Sequence, residues 1–212
     1  MCIRDRLTTT SYAILGLIAI RPRSTYELAQ MMRRSLHFIW PRAESNLYAE
    51  PKRLVAAGMA TAEVVWNGDR KRTLYSITPE GAMALRAWLA DDPSPQRVES
   101  EPSVRILFGN LGSKDDLLAA IARVEGDAEE CITQVSAVGD EYARGDGPFP
   151  ERIHVNALLV TLMVEQARMA SRWAAWAKAE VERWSDAATP DVEWAVQALR
   201  RVVDAEPFSD AP

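Results

Sequence analysis

The sequence predicts a mainly α-helical protein in two parts. The first 90 residues spell three short helices, a two-stranded hairpin and a fourth helix, and everything after a linker is helical. Three observations carry this expectation. Apolar residues recur at helical spacing through most of the 212 residues. One strand–turn–strand pattern stands out, 60–66 (ATAEVVW) and 73–77 (TLYSI) around Asn67-Gly68, a dipeptide suited to tight hairpin turns. Residues 91–102 (DDPSPQRVESEP) are dense in proline and charge, as linkers are. The expected organisation is therefore 1–90, a linker 91–102, and a helical part 103–212.

Residues 1–6 show no periodicity and are assigned no role. Thr and Ser residues cap a helix over 7–20, in which Ala13, Ile14, Leu17 and Ile18 repeat at helical spacing. Arg21-Pro22-Arg23 ends it, because the residue before a proline avoids the α region. Ser24 or Thr25 caps a second helix through Arg34, and Glu27 sits where a capping box needs it. Pro41 suits the first turn of a third helix. There Leu47, Leu54 and Val55 face the core, Arg42, Glu44, Ser45 and Asn46 face outward, and Gly58 closes the helix. Pro51 lies in its interior, where a proline loses a hydrogen bond and crowds the carbonyl of Leu47 at a cost of about 3 kcal/mol unless the helix kinks. A bend is expected over 48–50.

The two strands bracket a polar turn that includes the basic tip Asp69-Arg70-Lys71-Arg72. Thr78-Pro79-Glu80 starts a fourth helix with a cap, a proline and an acid in the first turn, running to Leu89. Beyond the linker, 104–110 is a short segment closed by glycines. Ser113-Lys114-Asp115-Asp116 caps a helix to about Tyr142, and Gly145-Asp146-Gly147-Pro148 breaks it. Residues 151–184 form the longest periodic run, and Pro190 begins a last helix through about Ala205. The long helix carries two apolar stripes: Val155, Leu159, Leu162, Met169, Trp173 and Trp176 on one, and Val160, Val164, Ala167, Ala174 and Val181 on the other. A helix apolar on two sides is buried on two sides. One copy has too few elements to cover both, so the helical part is expected to form a homodimer.

The net charge of −5 hides an asymmetry. Residues 1–90 hold 13 Lys+Arg and 7 Asp+Glu, a balance of +6, whereas 91–212 hold 12 and 23, a balance of −11. Only the first part is expected to face a polyanion. The apolar runs are shorter than the ~18 residues of a membrane helix, so no membrane association and a cytoplasmic location are expected. Cys2 and Cys131 make no disulfide framework, and His37 and His154 belong to no metal-binding pair. No nucleophile elbow, phosphate-binding glycine loop or paired-carboxylate arrangement appears. The expectation is a protein without catalytic residues, metal or cofactor.

A short helix with a polar face, followed by a charged hairpin, is the pattern of a winged helix-turn-helix, in which a helix lies in a DNA groove and the hairpin grips phosphates. Arg matches guanine and Asn matches adenine, and Arg42 and Asn46, one turn apart, share a face. Ser45, Tyr48 and Tyr26 offer hydroxyls suited to phosphate oxygens. Lys52 adds charge after the proline. Arg70, Lys71 and Arg72 on the wing would contribute the salt-dependent part of binding to double-stranded DNA. Trp40 reads as a core anchor and Arg53 as a packing or ion-pair residue. The competing reading is a winged-helix protein-interaction module without DNA binding, docking through the acidic half. The basic first half and the polar face of the third helix weigh against it.

The order of motifs resembles the PadR family of bacterial transcriptional regulators. The resemblance rests on Leu15-Gly16-Leu17, Thr25-Tyr26-Glu27-Leu28, Trp40-Pro41, Ser45-Asn46-Leu47-Tyr48, Lys52-Arg53-Leu54, Gly58 and Tyr75-Ser76-Ile77-Thr78-Pro79-Glu80-Gly81 leading into Leu85 and Trp88-Leu89. Arg105-Ile106-Leu107-Phe108 and 173–176 resemble the members with long helical C-termini. Two departures stand out: Thr25, where the family usually has Gly, and Pro51. The resemblance favours the same DNA-facing residues and implies a homodimeric regulator, expected to repress from an inverted-repeat operator. It also implies an effector, a small aromatic or drug-like molecule bound near the dimer interface; Trp173, Trp176, Trp184 and Trp194 of the C-terminal helices could supply aromatic walls, with Trp173 and Trp176 the candidate residues.

Overall fold

The structure, a computed structural model, describes residues 7–36, 38–40, 44–67, 70–189 and 191–204. The expectations placed on 1–6, His37, Pro41, Arg42, Gly68, Asp69 and Pro190 lie outside the described residues. The chain divides into two compact units, Met1–Gln96 and Arg97–Pro212.

The N-terminal unit is built in the order α1 (Thr9–Ile20), β1 (Arg23–Ser24), α2 (Thr25–Met31), α3 (Glu44–Ala56), β2 (Ala60–Asn67), β3 (Arg70–Ile77) and α4 (Pro79–Leu89). Its helix starts follow the side-chain chemistry. Thr8 and Ser11 form a capping box on α1, and Ser24 and Glu27 form another on α2. Thr78 caps α4, with a proline in the first turn and Glu80 beside it. Its hydroxyl also donates to the carbonyl of Gly58 at 2.8 Å, so one side chain ties the end of α3 to the start of α4. Gly58 has φ +74°, the left-handed conformation that closes α3. Gly81 matters for a different reason. A Cβ there would collide with the carbonyl oxygen of Met59, so the first turn of α4 can lie on the entry to β2 only as glycine.

The core of this unit is Ile14, Leu15, Ile18, Leu28, Leu54, Met59 and Tyr75, with Tyr12 stacked on Trp88 at 4.8 Å between ring centroids. Leu47 and Leu54 are buried and Val55 is half-buried, so the inward face of α3 is the one its sequence spacing predicts. The helix is continuous through Pro51, whose ring is fully buried.

Three features differ from the sequence expectation. The sheet has three strands, in the order β1-β3-β2, because Arg23 and Ser24 pair antiparallel with Tyr75 and Leu74. Pro22 holds Arg21 extended (φ −164°, ψ 155°), and the cap residue Ser24 is extended as well, so the connection between α1 and α2 runs straight along the edge of β3. The second helix ends at Met31 and continues as a π-helical turn over Met32–Leu36. The hairpin is also longer than expected. Arg70, Lys71 and Arg72 belong to β3, opposite Asn67, Trp66 and Val65 in register, rather than to the turn. The β-branched and aromatic run at 64–66 favours the extended conformation, and the ladder continues through it to Asn67 and Arg70.

The C-terminal unit is helical: α5 (Glu101–Leu107), α6 (Lys114–Ala143), α7 (Ile153–Glu182) and α8 (Val192–Val203). The extended stretch ends at Ser100, which caps α5, so Glu101 and Pro102 belong to a helix and not to the linker. Ser113 and Asp116 form a capping box on α6 and Asp191 caps α8. The two 30-residue helices pack along each other through small residues, including Ala120, Ala128, Ala167, Ala174 and Ala177. Lys114 ties their ends by donating to the carbonyls of Glu182 and Trp184, each at 2.7 Å. Among the described residues no helix is long and apolar enough to cross a membrane.

Candidate functional site

The inner face of α3 is fixed by a buried polar contact. The Ser11 hydroxyl in α1 donates to Oε1 of Glu50, and Arg53 Nη1 donates to Oε2 of the same carboxylate at 3.1 Å. Glu50 is 6% exposed, so a charged group sits within the unit, satisfied from two sides. Trp40 is half-buried, and its Nε1 donates to the Thr10 hydroxyl at 2.9 Å. Trp40 and Arg53 thus hold structural roles, each joined to an element of the unit.

With its inner face fixed this way, α3 turns Tyr48 and Lys52 outward. They lie one turn apart, and Tyr48 is 43% exposed. Ser45 and Asn46 lie in the first turn of the described helix, and Arg42 lies outside the described residues. Tyr26, in the first turn of α2, is 65% exposed. On the hairpin Lys71 and Arg72 are exposed, and Arg70 stands in β3 at the end of the ladder.

Arg72 is not an isolated cation. Its guanidinium lies 4.0 Å from Oε1 of Glu27, at the start of α2. Partial burial pushes the Glu27 carboxyl up. The hydrogen bonds from the Ser24 side chain and backbone, then the charges of Arg72 and Arg23, outweigh it and hold the group below its usual value. The Ser24–Glu27 box therefore does two jobs: it starts α2 and gives the wing a charge partner there. Sequence reasoning missed Trp66, which is 68% exposed beside the cations of the hairpin. Its signal was an indole at the strand end, next to the basic tip in the sequence. Arg33 and Arg34, exposed in the π-helical turn, were also passed over, since helical spacing alone gives them no distinction.

In the C-terminal unit Trp173 and Trp176 both line a cavity of about 630 Å³ between α5, α6, α7 and α8. Trp184 and Trp194 line it too. Trp194 stacks on Trp176 with centroids 6.2 Å apart and meets Trp184 edge-on at 5.1 Å. Its Nε1 donates to Oε2 of Glu180 at 2.7 Å, which sets the ring's orientation. Trp184 stands on the connection after α7 and Trp194 on α8, and the packing of the unit brings both to Trp173 and Trp176.

The two stripes of α7 have different fates. Val164, Ala167, Ala174 and Val181 are buried against α6 or the cavity core. Val155, Leu162 and Met169 remain exposed, with Leu158 beside them. On α8 Val192, Val196 and Leu199 are exposed although they line the cavity, and Val203 is exposed beyond it.

Residues 14–87 match the model of the "Transcriptional regulator PadR-like family". The chain is 29% identical over 107 residues to the negative transcriptional regulator PadR of Bacillus subtilis, an alignment that spans 50% of this chain and 59% of that relative. Among solved structures it is similar to Bacillus subtilis PadR in complex with operator DNA, with a TM-score of 0.69, 20% identity, and coverage of 82% of this chain and 99% of that one. The same regulator in complex with p-coumaric acid matches with a TM-score of 0.62 and 19% identity, over 84% of this chain and 99% of that one. At these identities the structural likeness shows the fold: a PadR-like winged helix-turn-helix followed by long helices.

Proposed function

Residues 14–87 form a PadR-like domain, and from that premise we propose that the protein is a DNA-binding transcriptional regulator. The observation that carries this reading is the coincidence of exposed donors with that domain. Tyr26, Tyr48, Lys52, Lys71 and Arg72 are all exposed on it, in a half of the chain with a balance of +6. In this reading the start of α3 enters the major groove, where Arg42 and Asn46 read bases and Ser45 holds phosphate. Tyr26, Tyr48 and Lys52 fix the register on the backbone, and Arg70, Lys71 and Arg72 grip phosphates from the wing.

The regulator acts as a homodimer on an inverted repeat, with half-sites about one helical turn apart. Support comes from the exposed apolar row Val155, Leu158, Leu162 and Met169, a face that water disfavours and a second copy would cover. Repression, relieved by a small aromatic effector in the tryptophan-lined cavity, completes the reading. The cavity's size falls in the ordinary range for such ligands.

Mobility-shift titration with DNA from upstream of the protein's own gene tests this. Retardation at low salt that weakens steeply with added salt is expected. A folded, dimeric protein that leaves this DNA and its scrambled control unshifted at low salt would overturn the reading in favour of a protein-interaction module. Arg42→Ala or Asn46→Ala should each cost about 1–3 kcal/mol of discrimination against altered operator bases.

A further inference from the structure

The cavity of the C-terminal unit has a charge sign as well as a shape. Its charged lining residues are Glu180 and Asp191, and among the described residues no lysine, arginine or histidine lines it. Both carboxylates are built in. Glu180 orients the Trp194 indole through Oε2, and Asp191 caps α8 by accepting from the Trp194 backbone N–H at 2.9 Å. The cation that pairs with Glu180 is Arg183, whose side chain is 65% exposed and does not line the cavity. Four indoles make up the aromatic wall.

We infer that this cavity selects a flat aromatic cation, such as an aryl-alkyl ammonium, and discriminates against aromatic carboxylates. The inference rests on the effector reading above and gives it a chemical class. Indole faces carry partial negative charge and attract an ammonium group, the more so where water is excluded. The two fixed carboxylates add attraction of the same sign. An aromatic acid is ionised at neutral pH, and here it would meet Asp191 and the Arg183-paired Glu180 with no cation among the lining residues.

Three ligands of one shape separate the possibilities: 2-naphthylmethylammonium, 2-naphthylmethanol and 2-naphthoate, titrated calorimetrically into the full-length protein at pH 7. The ammonium compound should bind at least about tenfold more tightly than the carboxylate, with the alcohol between them. Glu180→Gln and Asp191→Asn preserve the acceptor to Trp194 and the helix cap, and together they should narrow the gap to about threefold or less. Val196→Trp, which fills the cavity from α8, should weaken all three. Carboxylate binding as tight as ammonium binding would overturn the charge selection and leave the effector site standing. Ammonium binding undiminished in Val196→Trp would place that ligand elsewhere and overturn the inference. Failure of all three to bind would remove the effector reading itself.

Discussion

The two units dispose of their apolar residues differently. In the N-terminal unit, helices of 12, 7, 13 and 11 residues and a three-stranded sheet converge on one core, and Ile14, Leu15, Leu28 and Leu54 are essentially sealed from water. What this unit leaves outside includes the donors Tyr26, Tyr48, Lys52, Lys71 and Arg72, beside scattered apolar residues such as Val64, Trp66, Met83 and Leu89. In the C-terminal unit the two 30-residue helices bury alanines together with Leu117, Ile121, Met163 and Val164, yet α7 leaves Leu158, Leu162 and Met169 outside. The contrast lies in arrangement: apolar residues exposed singly need no partner, whereas the row Val155, Leu158, Leu162 and Met169 along one helix is a face that a partner would cover.

Core truncation probes this contrast with the largest effect. Leu54→Ala should destabilise the N-terminal unit by about 2–5 kcal/mol, because a sealed site relaxes poorly around a cavity. Leu89→Ala, at an exposed position of the same unit, should cost about 0.5 kcal/mol or less. Urea titrations followed by circular dichroism measure both; equal costs would erase the distinction between the sealed and the exposed position.

The open stripe is probed directly by Leu158→Glu with Leu162→Glu. Sedimentation velocity should show the dimer dissociating, with helicity retained and a loss of about 2 kcal/mol or more in association. An unchanged dimer would show that the interface lies on another face, α8 being the next to test. Glu50→Ala comes next in size. It strips the buried hydrogen bond from Ser11 and frees Arg53, at an expected cost of about 1–3 kcal/mol in stability. DNA affinity should fall further than that of a surface variant, since α3 loses its register on α1. Lys71→Ala with Arg72→Ala should leave thermal stability nearly unchanged and lower the slope of log affinity against log salt by about 1 for each phosphate no longer neutralised. An unchanged slope would remove both residues from the interface.

The smallest effect is one of pH. The folded-state Glu27 carboxyl titrates below its ordinary value of 4.5, so the charged form is favoured by folding. Its contribution is fully present above pH 4.5 and is lost as pH falls through the lowered value. Glu27→Gln keeps the capping geometry and should remove that part of the acid sensitivity. Parallel acid-induced unfolding curves for wild type and variant would show that Glu27 takes no part.

Most helix starts were legible in the sequence because capping is local chemistry. Ser24 with Glu27, Ser113 with Asp116, and Thr78-Pro79-Glu80 each satisfy free backbone N–H groups within four residues. The inward choice of Leu47 and Leu54 was legible for the same kind of reason, a fixed angular step along a helix. The π-helical turn and the two-residue strand β1 were not, since neither carries a local signature. β1 exists only because β3 offers an edge to a chain already extended by Pro22. The placement of the wing cations was half legible: their position next to the hairpin could be read, but not their register opposite Trp66 and Val65, which is set by the partner strand.

By itself, then, the sequence determined the order of the main helices and of the hairpin, most of their caps, and the split between a basic and an acidic half. These depend on interactions within a few residues or on simple counts. Tertiary structure decided which of the two stripes of α7 would be buried, that Glu50 would hold α3 against Ser11, and that four tryptophans from three segments would line one cavity with two acids and no bases. Those outcomes join residues far apart in the chain. Periodicity cannot encode such pairings, because it specifies which way a side chain faces along its own element and not what it meets there.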